Sequence, residues 1–157
     1  HPLLTDDLLV VTNAGRHLVA HPGPPRRKLL PDVARRLFGA RARRALKSDL
    51  TPKLTISLGP GEWCSRAVPL KAMYALGAPD GRTAQAVTIR RLRGRAAFLA
   101  LVRNTFNTLV TEPARLERQL HWCARLTSSI PLKTLTYPRT WSALASVRAA
   151  ILADLAS

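Results

Sequence analysis

The chain is poor in several things, and each shortage closes a door. Only two cysteines occur, Cys64 and Cys123. They are too few and too far apart for a zinc cluster or a disulfide framework. Aromatic residues make up 5% of the chain and are not interleaved with the basic residues, so a base-stacking platform for single strands has little support. Acidic residues number 9 against 25 basic ones, a formal charge of +16. No apolar run reaches the eighteen or so residues that a membrane-spanning helix requires. Serine never stands in a GxSxG turn, which argues against a hydrolase of that type. His17, His21 and His121 lie far apart with no HxH or HExxH spacing, so they read as surface or locally bonded side chains rather than metal ligands.

What is present is ample apolar sequence, 46% of 157 residues, enough for an ordered fold with a real core. The reading is one incomplete domain over 1–157, strand-rich over 1–92 and mostly helical over 93–157, in a cytoplasmic protein with no membrane partner. The first residue is His1 and no secretory signal opens the chain, so it is expected to be the downstream piece of a longer protein. The basic residues cluster, as in Arg26-Arg27-Lys28, Arg41 to Arg44 and Arg90 to Arg95. Such clusters attract polyanions. An Arg-, Ala- and Leu-rich composition has the same look, however, and no nucleic-acid motif accompanies it. Nucleic acid is therefore the lesser expectation.

Turn chemistry and periodicity outline the elements. Leu8–Thr12 and His17–Ala20 flank Asn13-Ala14-Gly15-Arg16, a hairpin signal. His21-Pro22-Gly23-Pro24-Pro25 reads as a rigid loop leading to the cations Arg26 to Lys28, a plausible phosphate-positioning element beside a helix start. That helix has Pro31 in its first turn, Asp32 at its positive end and Gly39 as its stop. Leu54–Leu58 reads as a strand. Val68–Leu76 and Ala84–Leu92 are read as a hairpin through residues 77–81. Ala97, Phe98, Leu101, Val102, Thr105 and Phe106 share one helical face. Thr111 reads as the cap of a helix whose buried stripe is Leu116, Leu120, Cys123 and Ala124. Residues 131–137 make a short strand candidate, and Trp141, Leu144, Ile151, Leu152 and Leu155 line a final helix. Strands first and helices last make an α/β or α+β domain.

The most informative spot is Asp6-Asp7, a carboxylate doublet inside apolar sequence. Burying unpaired carboxylates costs several kcal/mol each, about the stability of a small domain. The pair is therefore expected at an exposed strand end or beside a cation, its side chains on opposite faces. An acidic turn between two strands is the plain alternative.

Four segments occur in a familiar order: Leu3-Leu4-Thr5-Asp6-Asp7; His21-Pro22-Gly23-Pro24-Pro25-Arg26-Arg27-Lys28-Leu29-Leu30-Pro31-Asp32; Val68-Pro69-Leu70-Lys71-Ala72-Met73-Tyr74; and Leu92 to Asn107. In that order the chain resembles the HPr serine kinase/phosphorylase-related proteins, over nearly its whole length. It looks nearest to the stand-alone HPr-kinase-like branch. The resemblance implies a P-loop, phosphoenolpyruvate-carboxykinase-like α/β fold and an ATP- and Mg²⁺-dependent serine kinase acting on a protein or peptide, with homo-oligomerisation left open. It also implies that Asp6 and Asp7 are the paired carboxylates, one with Mg²⁺ and one beside the acceptor hydroxyl as candidate base. Arg26 and Lys28 are carried over as contacts to phosphate or acceptor. The phosphate-cradling GxxxxGK(S/T) loop is absent from these residues. This chain alone is thus expected to be inactive, and the phosphorylase activity is not expected. The alternative is a non-catalytic basic domain that binds nucleic acid or an acidic partner.

Overall fold

Apolar, β-branched sequence on both sides of Gly15 folds as a hairpin in the computed structural model, which describes residues 1–15, 17–48, 50–77, 85–105 and 112–156. Strand β1 (Val10–Ala14) pairs antiparallel with β2 (His17–His21), Ala14 opposite His17. Gly15 takes φ 64°, the left-handed conformation such a two-residue loop favours in glycine. Residue 16 lies outside the described residues. The strands run through Asn13 and Ala14, two residues further than turn propensity alone suggests, because the ladder continues to the glycine. Leu18 and Ala20 on β2 are buried.

Internal contacts gather into two compact units, His1–Pro69 and Leu70–Ser157. In the first unit, Arg26–Leu29 is a strand, β3, and not part of the proline-stiffened loop that the sequence suggests. The loop ends at Pro25, and antiparallel pairing to a later strand holds residues 26–29 extended. Helix α1 (Pro31–Phe38) starts on proline with Asp32 in its first turn and ends at Gly39, whose N–H donates to the Arg35 carbonyl at 3.0 Å. A short helix α2 (Ala40–Arg43), β4 (Leu46–Ser48) and β5 (Thr51–Ser57) come next. The strand order is β3-β5-β4, antiparallel throughout. Strand β6 (Val68–Pro69) joins the hairpin on the β2 side, giving the order β1-β2-β6. Both helices cover one face of the β3-β5-β4 sheet: Ala34, Ala42 and Ile56 form the buried cluster, with Leu29, Phe38, Ala45 and Leu54 packed against it.

The second unit corrects a topology. Strands β7 (Met73–Leu76) and β8 (Thr88–Leu92) do not pair with each other. Each pairs instead with β9 (Leu132–Thr136), parallel to β7 and antiparallel to β8. The turn signal at residues 77–81 specifies a reversal of the chain, but the centre of the sheet goes to the strand that buries most, and Leu132 and Leu135 of β9 are both in the core. Residues 78–84 lie outside the described residues. Helix α3 (Gly94–Asn104) buries Ala97; Phe106 and Asn107 lie outside the described residues. Helix α4 (Pro113–Ser129) begins with Glu112 in the capping position, and Thr111 is outside the described residues. Its buried stripe is Cys123 and Leu126, continued by Ile130 just past the helix end. Leu116, Leu120 and Ala124 are exposed, contrary to the sequence reading, as is every residue from Pro113 to Arg118. A 3-10 turn (Trp141–Ala143) leads into α5 (Leu144–Ala156), of which no described residue is fully buried. Trp141, Leu144, Leu152 and Leu155 are exposed; the inward side is Val147, Ala150, Ile151 and Asp154. Among the described residues no helix is long and apolar enough to cross a membrane. Among the described residues the protein is therefore a mixed α/β structure of three small sheets and five helices.

Asp154 ties the second unit together. It accepts hydrogen bonds from the Tyr74 hydroxyl on β7 and, at 2.6 Å, from Lys133 Nζ on β9. Burial, and then the bond to Asp154 and its negative charge, push the Tyr74 phenol up to about 12. The folded value lies above the ordinary value near 10. The fold therefore favours the neutral phenol, and that stabilisation is complete below pH 10. It is lost as pH rises from about 10 to 12, where the unfolded chain releases the proton first. We expect the urea midpoint of the second unit to fall across this window, and Tyr74→Phe to flatten the fall. An unchanged alkaline slope in that variant would assign the loss to other groups.

Candidate functional site

The segment before β1 is held by backbone bonds on two sides. Leu3 forms a parallel bridge with Trp63: its N–H donates to the Glu62 carbonyl and its carbonyl accepts from the Cys64 N–H, both at 2.8 Å. Gly23 N–H donates to the Leu4 carbonyl at 3.0 Å, and Trp63 Nε1 donates to the Gly23 carbonyl at 3.1 Å. Position 23 requires glycine because a Cβ there would run into the Thr5 hydroxyl. That hydroxyl closes the next bend by donating to the Leu8 carbonyl at 2.6 Å. The apolar Leu3-Leu4 segment is thus seated between two strands' worth of partners, and the chain must turn outward at Asp6-Asp7.

Both carboxylates then reach one residue, 21 and 22 positions later in the chain. Lys28 N–H, on the edge strand β3, donates to Asp6 Oδ2 at 2.7 Å. Lys28 Nζ lies 3.6 Å from Asp7 Oδ2, with the two side chains 37% and 51% exposed. The doublet is exposed and beside a cation, as burial cost demands. It occupies a bend and not a strand, however, so the alternation that would send the two side chains to opposite faces does not apply. Asp6 is bound to a backbone donor that a neighbouring strand would otherwise take. Asp7 meets its partner only beyond hydrogen-bond distance.

Register places the other cations. Residues opposite one another in a ladder share a face, and neighbours along a strand alternate. Arg27 pairs with Ile56 and Leu29 with Leu54, so these four face the helices. Arg27 there lies over the Phe38 ring, 5.9 Å from its centroid. Arg26 pairs with Ser57, and Lys28 with Thr55, which in turn pairs with Leu46. The face away from the helices therefore carries Arg26, Lys28, Thr55, Ser57 and Leu46, beside Asp6 and Asp7. The structure brings together Asp6, Asp7 and Lys28 and sets Arg26 on the same sheet face. Thr55, Ser57 and Leu46 do not stand out in the sequence. Alternation within residues 54–58 signals that 55 and 57 share a face, but nothing local says which face or which neighbours.

The helix side of this unit has its own electrostatics. Arg41 on α2 makes a two-pronged pair with Glu62, Nη1 to Oε1 at 2.8 Å and Nη2 to Oε2 at 2.9 Å. Its Nη2 also donates to the Ser57 carbonyl at 2.7 Å, and Gly59 N–H donates to Glu62 Oε2 at 2.8 Å. Arg41 is thereby removed from the pool of free basic charge and clips the loop after β5 to α2. A cavity of about 290 Å³ lies here, lined by His1, Pro2, Arg27, Phe38, Leu58, Gly61 and Glu62. Asp6, Asp7 and Lys28 do not line it. The Arg41 bond first, and the Gly59 N–H second, hold the Glu62 carboxyl at about 2, against an ordinary 4.5. This stabilisation is present above pH 4.5 and is lost as pH falls toward 2. We expect acid unfolding of the first unit, followed by the fluorescence of Trp63 in a chain lacking Trp122 and Trp141, to shift measurably in Glu62→Gln. Coincident acid transitions for the two chains would show that the clip carries no stability.

The donor chemistry at the doublet suits one metal class. Two adjacent, exposed carboxylates are hard oxygen donors, and Mg²⁺ is characteristically held by one or two carboxylates with waters and phosphate oxygens completing the shell. Among the described residues no group of three or more His, Cys, Asp or Glu side chains is placed to hold a metal. Asp6 and Asp7 thus fit Mg²⁺ arriving with a polyphosphate rather than a cation caged by protein alone. Comparison with protein-family models, with curated proteins and with solved structures finds no match to this chain.

Proposed function

We propose that this chain is part of a cytoplasmic, ATP-dependent serine/threonine protein or peptide kinase of the HPr-kinase-related type, with a P-loop, phosphoenolpyruvate-carboxykinase-like fold. What supports the reading is the convergence of Asp6 and Asp7 on Lys28, with Arg26 on the same exposed sheet face. These are the four residues that the resemblance singles out.

Phosphoryl transfer asks little covalent chemistry of a protein. It needs the phosphate charge neutralised and the attacking hydroxyl oriented. One of the two carboxylates would hold Mg²⁺, which would supply part of that neutralisation. Asp6 is anchored to the β3 backbone and sets the position of the doublet. Asp7 is the carboxylate left to accept the acceptor hydroxyl's proton, its ammonium contact being too long to bind it fast. Lys28, with Arg26, offers positive charge to phosphate or to the acceptor.

The nucleotide is another matter. The amides and lysine of a GxxxxGK(S/T) loop are not among these residues, and they normally provide most of the triphosphate's contacts. By calorimetry we expect this chain to show no saturable binding of Mg·ATP below the millimolar range; micromolar affinity would mean that a different set of residues holds the phosphates. The direct test of the function is incubation of the complete protein with γ-labelled ATP and serine-containing peptides. Incorporation into serine or threonine supports the reading, and its absence across proteins and peptides of varied charge rejects it.

A further inference from the structure

Among the described residues of 93–157, six large apolar side chains are exposed, each between 38% and 46%, and all six stand on two helical faces. Leu116 and Leu120, four positions apart, share a face of α4 that the buried stripe of Cys123 and Leu126 does not occupy. Glu117, exposed, flanks that pair three positions before Leu120. At about 3.6 residues per turn, Arg115, Arg118 and Arg125 fall on the side of α4 away from Leu120. The other four, Trp141, Leu144, Leu152 and Leu155, lie on α5 and the turn before it. With Arg148 they recur at intervals of three or four residues, so the five form one row. Arg148, exposed, is the one basic residue of α5 and stands in the middle of that row. The one acidic residue of α5, Asp154, is engaged with Tyr74 and Lys133 on the inward side. No acidic residue lies three or four positions from Arg148, and no lysine or arginine lies three or four positions from Glu117. Among the described residues neither side chain is in an ion pair.

We propose that these two faces are the halves of one interface between copies of this chain: Leu116 and Leu120 of α4 pack on the α5 row of a second copy, and Glu117 meets the partner's Arg148. Exposed leucines scattered singly need no cover, but rows at this spacing are the ridges by which helices pack on one another. Ala145, Ala149 and Ala156 beside the α5 row, and Ala124 beside Leu120, leave room for a close approach. Charge decides which face meets which. Packing α5 on α5 about the middle of its row sets guanidinium against guanidinium, and packing α4 on α4 sets carboxylate against carboxylate. Only the unlike contact pairs the two. A second copy is the occupant because one chain carries both complements, an apolar pair with a free acid and an apolar row with a free base. Both faces are uncovered at once in a single copy, so the contact joins two molecules. Elsewhere copies of charge +16 repel each other, so nothing but a specific surface brings them together. An unlike contact either repeats from copy to copy or closes into a ring. The association goes beyond the kinase reading and does not rest on it.

The test is sedimentation velocity of the purified chain in about 0.15 M salt, where a Debye length of about 8 Å screens the repulsion between copies. We expect the sedimentation coefficient to rise with concentration between about 10 and 500 μM, the weak range suited to a small interface. Leu120→Glu removes the α4 face and Leu152→Glu the α5 face, and each alone should sediment as a monomer. Mixed, the two retain one intact face each and should form a one-to-one complex, followed with fluorescein on one of them. Arg148→Glu and Glu117→Arg should each weaken association roughly tenfold or more. The chain carrying both exchanges should recover to within about threefold of the original. Arg118→Glu, on the far side of α4, changes the charge as much as Arg148→Glu and should alter association by less than about twofold. Circular dichroism of each variant checks folding, which exposed positions should leave intact. A wild-type chain that stays monomeric across the range overturns the proposal, as does self-association of Leu120→Glu or Leu152→Glu. A mixture that stays monomeric, or a double exchange that fails to recover, means that α4 does not meet α5, and overturns it too. So does an equal loss in Arg118→Glu, which would make the effect one of net charge.

Discussion

Asp7→Asn in the complete protein is expected to lower the rate of phosphoryl transfer by roughly two to four orders of magnitude, the range for removing a positioned acid or base. Its urea midpoint should scarcely move. The reason lies in the geometry: the Asp7 side chain is 51% exposed and 3.6 Å from Lys28 Nζ, and exposed ion pairs of this kind contribute about 0.2–1 kcal/mol. Asparagine keeps the shape and loses the charge and the proton-accepting power. Asp6→Asn provides the comparison. Its amide oxygen can still accept from Lys28 N–H, so the doublet should stay in place and the loss of rate should be smaller. Steady-state turnover at saturating ATP and peptide decides between the two carboxylates. Wild-type turnover in Asp7→Asn would remove it from the reaction.

The largest effect on stability is expected at Ile56. It is 3% exposed and shares a buried cluster with Ala34 of α1 and Ala42 of α2, against which Leu29, Phe38, Ala45 and Leu54 pack. Two of its helix contacts are alanines, which have no side-chain freedom with which to close a hole. Ile56→Ala should therefore cost about 2–5 kcal/mol. At about 0.05–0.15 kcal/mol per residue, a unit of this size has only about 3–10 kcal/mol in total. The variant should leave the first unit mostly unfolded at moderate urea. Trp63 fluorescence, in a chain lacking Trp122 and Trp141, reads this transition. A loss under about 1 kcal/mol would mean that the helices are not seated on β5 by this side chain.

Several elements were legible because their causes are local. Gly15 turning a hairpin, Pro31 opening α1 and Gly39 closing it each depend on the conformational range of one residue. Burial on the helices was less legible. The periodicity of α4 is real, but Leu116 and Leu120 stay exposed because the neighbours of that helix are at Cys123, Leu126 and Ile130. An apolar stripe says that a face can be buried and says nothing of where its cover ends. Strand β4 left no clear mark, since Leu46, Lys47 and Ser48 have no alternation long enough to register.

The candidate site divides in the same way. That Asp6 and Asp7 must be exposed or paired comes from the cost of burying charge in apolar sequence, and no coordinates are needed to say so. That their partner is Lys28, through its backbone for one and its ammonium for the other, is a tertiary fact. So is the sorting of Arg26 and Lys28 to one face and Arg27 to the other, and so is the withdrawal of Arg41 into a pair with Glu62. The amino-acid sequence by itself determined the turn at Gly15, the two ends of α1, the excess of positive charge and the exposure of the acidic doublet, because each depends on a few adjacent residues. The tertiary structure alone decided the central place of β9, the convergence on Lys28 and the clips at Glu62 and Asp154. Each of these joins residues about twenty or more positions apart, and which pairing wins depends on the summed burial of the whole unit against the entropy of closing its loops.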